Sequence, residues 1–162
     1  MKLYLVRHAT ASDIAPSDEE RELTREGKEE ARSVGAALAK LGVKPSHVLT
    51  SPLVRARQTA KIAAEQMIFS GKMEILDELT NGTSTPSLLK ALRSYASANE
   101  IILVGHMPSL SEHLAVLIGA GNAQGLALGK GSVACIELDQ LRMGTGQLRW
   151  LTRQKQLREI AG

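Results

Sequence analysis

Short apolar runs alternate with helix-patterned stretches along most of this chain, and that alternation limits its fold more than any other feature. Leu3–Arg7, His47–Thr50, Met73–Leu76 and Ile101–Val104 have the length and composition of strands. The stretches between them repeat apolar residues at helical spacing. After Thr24 as N-cap come Ala31, Val34, Leu38 and Leu41, closed by Gly42. Ser51-Pro52 reads as the N-cap and first residue of a second helix, with Ala56, Ala60, Ala63 and Met67 on its buried side. A third helix is expected over 85–98, with Pro86 at its start, and a fourth from Pro108 to about Ile118. Strands separated by helices pair in parallel, with helices on both faces. Ser132–Leu138 and Gln147–Leu151 read as a terminal hairpin, with Gly144 and Gly146 in its turn. The expected fold is α/β, a three-layer α/β/α sandwich. Its central sheet is mostly parallel with an antiparallel edge strand, in one domain over residues 1–162.

Two connections stand out. Ala9–Leu23 is polar, acidic and long, a length at which loops are often functional. Gly119–Gly131 holds five glycines and reads as a flexible connection. The 2% aromatic content leaves Leu, Val, Ile and Ala to build the core. It also argues against single-stranded nucleic acid, which needs stacking platforms. The net charge of +3 is too small to indicate a nucleic-acid partner. Cys135 is alone in an apolar run and reads as a buried structural thiol. No apolar run approaches the ~18 residues of a membrane span. The first strand begins without a leader pattern, so the expectation is a cytoplasmic protein with no membrane partner. Nothing in the sequence demands a second copy, and a monomer is the default.

The chemistry gathers where strands end. Val6-Arg7-His8 closes the first strand. Arg55 lies in the first turn after Thr50-Ser-Pro-Leu-Val, and His106 follows Val104-Gly. In a parallel sheet these ends share one edge, the edge at which α/β proteins bind ligands. Two arginines, two imidazoles and two helix N-termini would then surround one small volume, a cage for a tetrahedral phosphoryl group. His8 is the candidate nucleophile and Arg7 the candidate anion holder. Arg57, turned well away from Arg55 around the helix, is the better solvated arginine. His47 and His113 read as surface residues. The four histidines lack the spacing of a metal site, and the arginines would repel a cation, so no metal is expected.

These segments resemble the histidine phosphatase superfamily, the phosphoglycerate-mutase-like fold, and most of all its small SixA-type phosphohistidine phosphatases. The matching stretches are Leu5-Val-Arg-His8, Arg21-Glu-Leu-Thr-Arg-Glu-Gly27, Thr50 to Thr59, Glu78-Leu-Thr80 and Val104-Gly-His106, in family order. One departure is Ala9, where the superfamily more often has glycine. The resemblance implies that His8 becomes phosphorylated, that Arg7, Arg55 and His106 bind the phosphoryl oxygens, and that no cofactor is needed. His8 would be neutral at its attacking nitrogen, with its other nitrogen donating to a backbone carbonyl. Glu78 is the candidate general acid, with Asp13 and Asp18 as rivals. Arg21 is a candidate contact to the phosphate or the partner. The chain has little spare length for a cover beyond Ala9–Leu23, Thr80–Thr85 and Gly119–Gly131. An open cage of this kind suits a phosphorylated side chain on another protein, such as a histidine phosphotransfer protein, and would also take phosphate- or sulfate-type anions. The alternatives are a phosphatase of small metabolites and a non-catalytic phosphohistidine-binding module. The basic residues Arg149, Arg153, Lys155 and Arg158 read as a solvated tail.

Overall fold

In the computed structural model, which describes residues 1–162, alternate residues of the central strands build two separate cores. In β1 (Lys2–Arg7) and β4 (Glu100–Gly105), Leu3, Leu5, Ile101 and Leu103 join one cluster. Tyr4, Val6, Ile102 and Val104 join the other. This period of two on strands apolar throughout marks a sheet covered on both faces. β2 (His47–Thr50), β3 (Met73–Ile75), β5 (Val133–Glu137) and β6 (Gln147–Thr152) complete one sheet in the order β3-β2-β4-β1-β5-β6. β1, β2, β3 and β4 are parallel. β5 runs antiparallel to both β1 and β6, so the reversed strand lies one place in from the edge.

Helices α1 (Arg25–Lys40), α2 (Val54–Gln66) and α5 (Gln154–Ala161) cover the Tyr4 and Val6 face. Helices α3 (Thr85–Leu92) and α4 (Ser109–Ile118) cover the other. The sandwich is therefore the expected one, and several details differ. α2 begins three residues past the expected cap, at Val54. α3 ends at Leu92 and continues as a 3-10 turn rather than reaching residue 98. Leu41, assigned to the buried stripe of α1, lies beyond the helix and is half exposed. His113, expected on an exposed face, is buried with Nδ1 hydrogen-bonded to Thr85 Oγ1 at 2.9 Å. Arg149, Arg153, Lys155 and Arg158 are exposed, as expected, but they belong to ordered structure: Arg149 lies in β6, Arg153 caps α5, and Lys155 and Arg158 lie in α5, whose Leu157 is fully buried against the α1 side of the sheet. Cys135 is buried, as expected.

The start of α1 fixes the chain as it leaves the sheet edge. Thr24 caps the helix by accepting from the Gly27 amide at 3.0 Å. Its own amide and hydroxyl both donate to the Thr10 carbonyl. A Cβ on Gly27 would run into that same carbonyl, so this close approach requires glycine. No helix is long and apolar enough to cross a membrane.

Candidate active site

Strand register brings the site together. Arg7 lies opposite Gly105 in the β1–β4 pair, and Thr50 lies opposite Val104 in the β2–β4 pair. One step further, His8 donates its amide to the Gly105 carbonyl at 3.0 Å, and Ser51 donates its amide to the Val104 carbonyl at 3.0 Å. His8, Ser51 and His106 therefore leave three adjacent strands at one level. The His8 and His106 rings face each other with centroids 5.1 Å apart. Arg55 reaches the same volume from the first turn of α2 and is 6% exposed. The structure thus gathers His8, Arg7, Arg55 and His106, the four residues expected to form the cage.

His8 has a defined tautomer. Its Nδ1–H donates to the Ala9 carbonyl at 2.7 Å, which leaves the Nε2 lone pair free. The Ala9 peptide is held in turn, since its amide donates to Thr59 Oγ1, and that hydroxyl donates to the Arg55 carbonyl. Beyond it, Glu30 accepts from both the amide and the hydroxyl of Thr10. Burial pushes the His8 ring down to about 3, with the charges of His106, Arg55 and Arg7 adding to the effect against the Ala9 hydrogen bond. The ring is accordingly neutral near pH 7. The methyl group of Ala9 packs with Ala11, Leu23 and Ala31, so alanine fits where the superfamily often has glycine.

His106 is oriented by a residue whose role the sequence did not reveal. The Leu53 amide donates to Ser51 Oγ at 3.3 Å. Ser51 Oγ lies 2.7 Å from His106 Nε2, a distance at which the hydroxyl can donate to that nitrogen. With Nε2 accepting, the ring proton resides on Nδ1, which is buried and has no partner within the protein. Burial lowers this ring to about 4, helped by Arg55 and Arg7 and opposed by Asp18.

The two arginines are gripped from behind. Arg55 Nη1 donates to the Asp18 carbonyl at 2.6 Å, and Nη2 donates to the Asp18 carboxylate at 3.1 Å. Arg7 Nη1 donates to the Leu128 carbonyl at 2.9 Å. The Gly131 amide lies over the carbonyls of Arg7 and His8, so the glycine-rich connection forms one wall of the site. Burial lowers the Arg7 guanidinium from its ordinary value. Arg7 Nε and Arg55 Nε are buried without partners, like His106 Nδ1. An unpaired buried donor costs about 1–3 kcal/mol, and three such donors on residues flanking one imidazole define an anion site.

Arg21 is engaged by its own loop. It donates to the Ser12 carbonyl, the Asp18 carboxylate and the Asp13 carboxylate at 2.8–3.1 Å, so it braces the loop and reaches Arg55 through Asp18. Those hydrogen bonds from Arg21 and then Arg55 hold the Asp18 carboxyl below its ordinary value, which favours a clamp over a proton donor. Glu78 stands half-buried on a 3-10 turn (Asp77–Leu79) and makes no hydrogen bond or ion pair with the cage. The turn itself adjoins the site, because a Cβ on Gly105 would lie 3.1 Å from the Leu79 carbonyl.

A neutral imidazole with a free lone pair, ringed by fixed donors at a sheet edge, places this molecule among the phosphatases of the α/β/α sandwich class. Residues 3–85 match the family model of the histidine phosphatase superfamily (branch 1), and the chain belongs to that superfamily. It is similar to an uncharacterized protein of Picosynechococcus, with 36% identity over 69% of this chain and 70% of that protein. It is also similar to the phosphohistidine phosphatase SixA of Escherichia coli, with 28% identity over 93% of this chain and 92% of that protein. A solved structure of the protein histidine phosphatase SixA complexed with tungstate superposes with a TM-score of 0.88. That structure is 26% identical, and the match covers 97% of this chain and 99% of the other. The likeness to SixA-type enzymes thus spans nearly the whole molecule.

Proposed function

We propose that this protein hydrolyses phosphohistidine on another protein, with a histidine phosphotransfer domain as the type of substrate. The observation that carries the reading is the scale of the site. Arg7 Nε, Arg55 Nε and His106 Nδ1, three buried nitrogens on the residues gathered with His8, have no partner within the protein, enough for one phosphoryl group. The main surface clefts, of about 240–450 Å³, are lined by residues other than His8, Arg7, Arg55 and His106. The similarity to SixA points the same way. Every cage residue comes from one chain, so the reading needs no second copy.

In the first step His8 Nε2 attacks phosphorus in line, and the bond from phosphorus to the substrate's imidazole nitrogen breaks. The leaving nitrogen takes up a proton and departs as neutral histidine. Arg7, Arg55 and His106 Nδ1–H hold the three equatorial oxygens, where charge is greatest in the transition state. A water then attacks phospho-His8, releasing inorganic phosphate and restoring the free ring. Imidazole is a good leaving group, so little acid assistance is needed. For a phosphate ester, Glu78 on the adjoining turn is the proposed proton donor.

The test is turnover of phosphohistidine-bearing phosphotransfer proteins and of a panel of small phosphates by wild type and His8→Ala. Phosphoprotein turnover that disappears in His8→Ala supports the reading. Turnover confined to small phosphates replaces it with a metabolite phosphatase. Binding without any turnover replaces it with a recognition module.

A further inference from the structure

Ile14, at the tip of the Ala9–Leu23 loop, is 92% exposed. A lone surface isoleucine needs no explanation, and what distinguishes this one is how it is held. The base of the loop is closed by an antiparallel bridge between Ala11 and Leu23 and by the Ser12 amide donating to the Glu22 carbonyl. Ser12 Oγ accepts from the Ile14 amide, and Arg21 ties the Ser12 carbonyl to both Asp13 and Asp18. Asp18 then clamps Arg55. The apolar tip is therefore fixed to the catalytic arginine, and a contact made through it loses little further freedom on binding. Ile68, 90% exposed, follows the far end of α2 at the opposite end of the strands, where no comparable site lies.

Charge identifies the partner's surface. Next to the basic cage the loop exposes Glu19, Glu20 and Glu22, and Asp13 is paired with Arg21. A free metabolite has no use for an acidic, apolar-tipped wall outside the cage. A protein surface that carries phosphohistidine beside an apolar residue, flanked by cations, matches it. We propose that Ile14 is the docking contact for the phosphorylated protein and sets recognition of the protein rather than of the phosphoryl group. This rests on the phosphoprotein reading above.

The experiment compares wild type, Ile14→Ser and Ile14→Leu on a set of phosphohistidine phosphotransfer proteins and on phosphoramidate as the small substrate. Ile14→Ser is expected to raise KM for the phosphoprotein about tenfold, equivalent to ~1.4 kcal/mol, with kcat preserved. Phosphoramidate kinetics stay unchanged, and Ile14→Leu behaves as wild type. Unchanged phosphoprotein kinetics in Ile14→Ser overturn the proposal. So do matching losses on both substrates, which would reveal damage to the cage. If wild type turns over phosphoramidate and none of the phosphoproteins, the underlying reading fails and this proposal with it.

Discussion

Ser51 has one proton to donate, and its placement decides what His106 can offer a phosphoryl oxygen. Without the hydroxyl, Nε2 loses its donor, and the ring gains nothing from keeping its proton on Nδ1. Ser51→Ala is expected to lower kcat by about 10–100-fold with little change in KM, since the lost hydrogen bond strengthens in the transition state. Nitrogen-15 spectra of the His106 ring report the tautomer directly. A second prediction concerns Glu78. If it serves only poor leaving groups, Glu78→Gln lowers turnover of a phosphate ester about tenfold or more and leaves phosphohistidine turnover nearly unchanged. Equal losses on both would give Glu78 a different role. Of the cage, His8, Arg7, Arg55 and His106 were legible in the sequence because each follows a strand and carries ring or guanidinium nitrogens. The roles of Ser51 and Thr59 were not, and Asp18, a candidate proton donor by sequence, clamps Arg55 instead. Ser51 followed by proline looks like a helix cap, and only the tertiary fold shows that its hydroxyl pairs with a histidine 55 positions away.

At the scale of elements, the strands were legible because β1 and β4 are short, continuous apolar runs, too brief for helices and bounded by polar residues or glycine. Helices whose apolar faces are long, such as α1, were legible from the spacing of those faces. α5 was not, because a single eight-residue helix among Arg153, Lys155 and Arg158 presents only Leu157, Ile160 and Ala161 to the core. Its register is fixed by packing on α1 and by Gln154 donating to the Glu30 carbonyl. Glu30 is also the carboxylate that holds Thr10, so α5 supports the chain leaving the cage from two contacts away. Leu157→Ala removes a fully buried side chain and is expected to lower unfolding stability by about 2–5 kcal/mol, measured by urea denaturation. An anion at the cage should partly restore the loss, because binding favours the folded state.

Across the whole molecule, three buried rings share one electrostatic consequence. His8, His106 and His113 are held below the ordinary histidine value of 6.5, at about 3, 4 and 4, each chiefly by burial. Unfolding returns the rings to water, where they take up protons that the folded protein refuses. Above pH ~7 neither state binds these protons, and the rings' contribution is fully present. Between ~6.5 and ~4 the unfolded chain binds more protons, so stability falls as pH falls. Below the folded values both states are protonated, and this part of the curve flattens. His113 isolates the effect because it lies outside the cage, bonded through Nδ1 to Thr85 on the α3–α4 face. His113→Asn keeps a polar atom near Nδ1 and removes the titration. Wild type is therefore expected to lose about 1–3 kcal/mol more than His113→Asn between pH 7 and pH 4.5, by denaturant unfolding at each pH. Equal losses in the two proteins would show that the buried ring does not couple folding to acid. A larger loss in the variant would reverse the sign of the linkage.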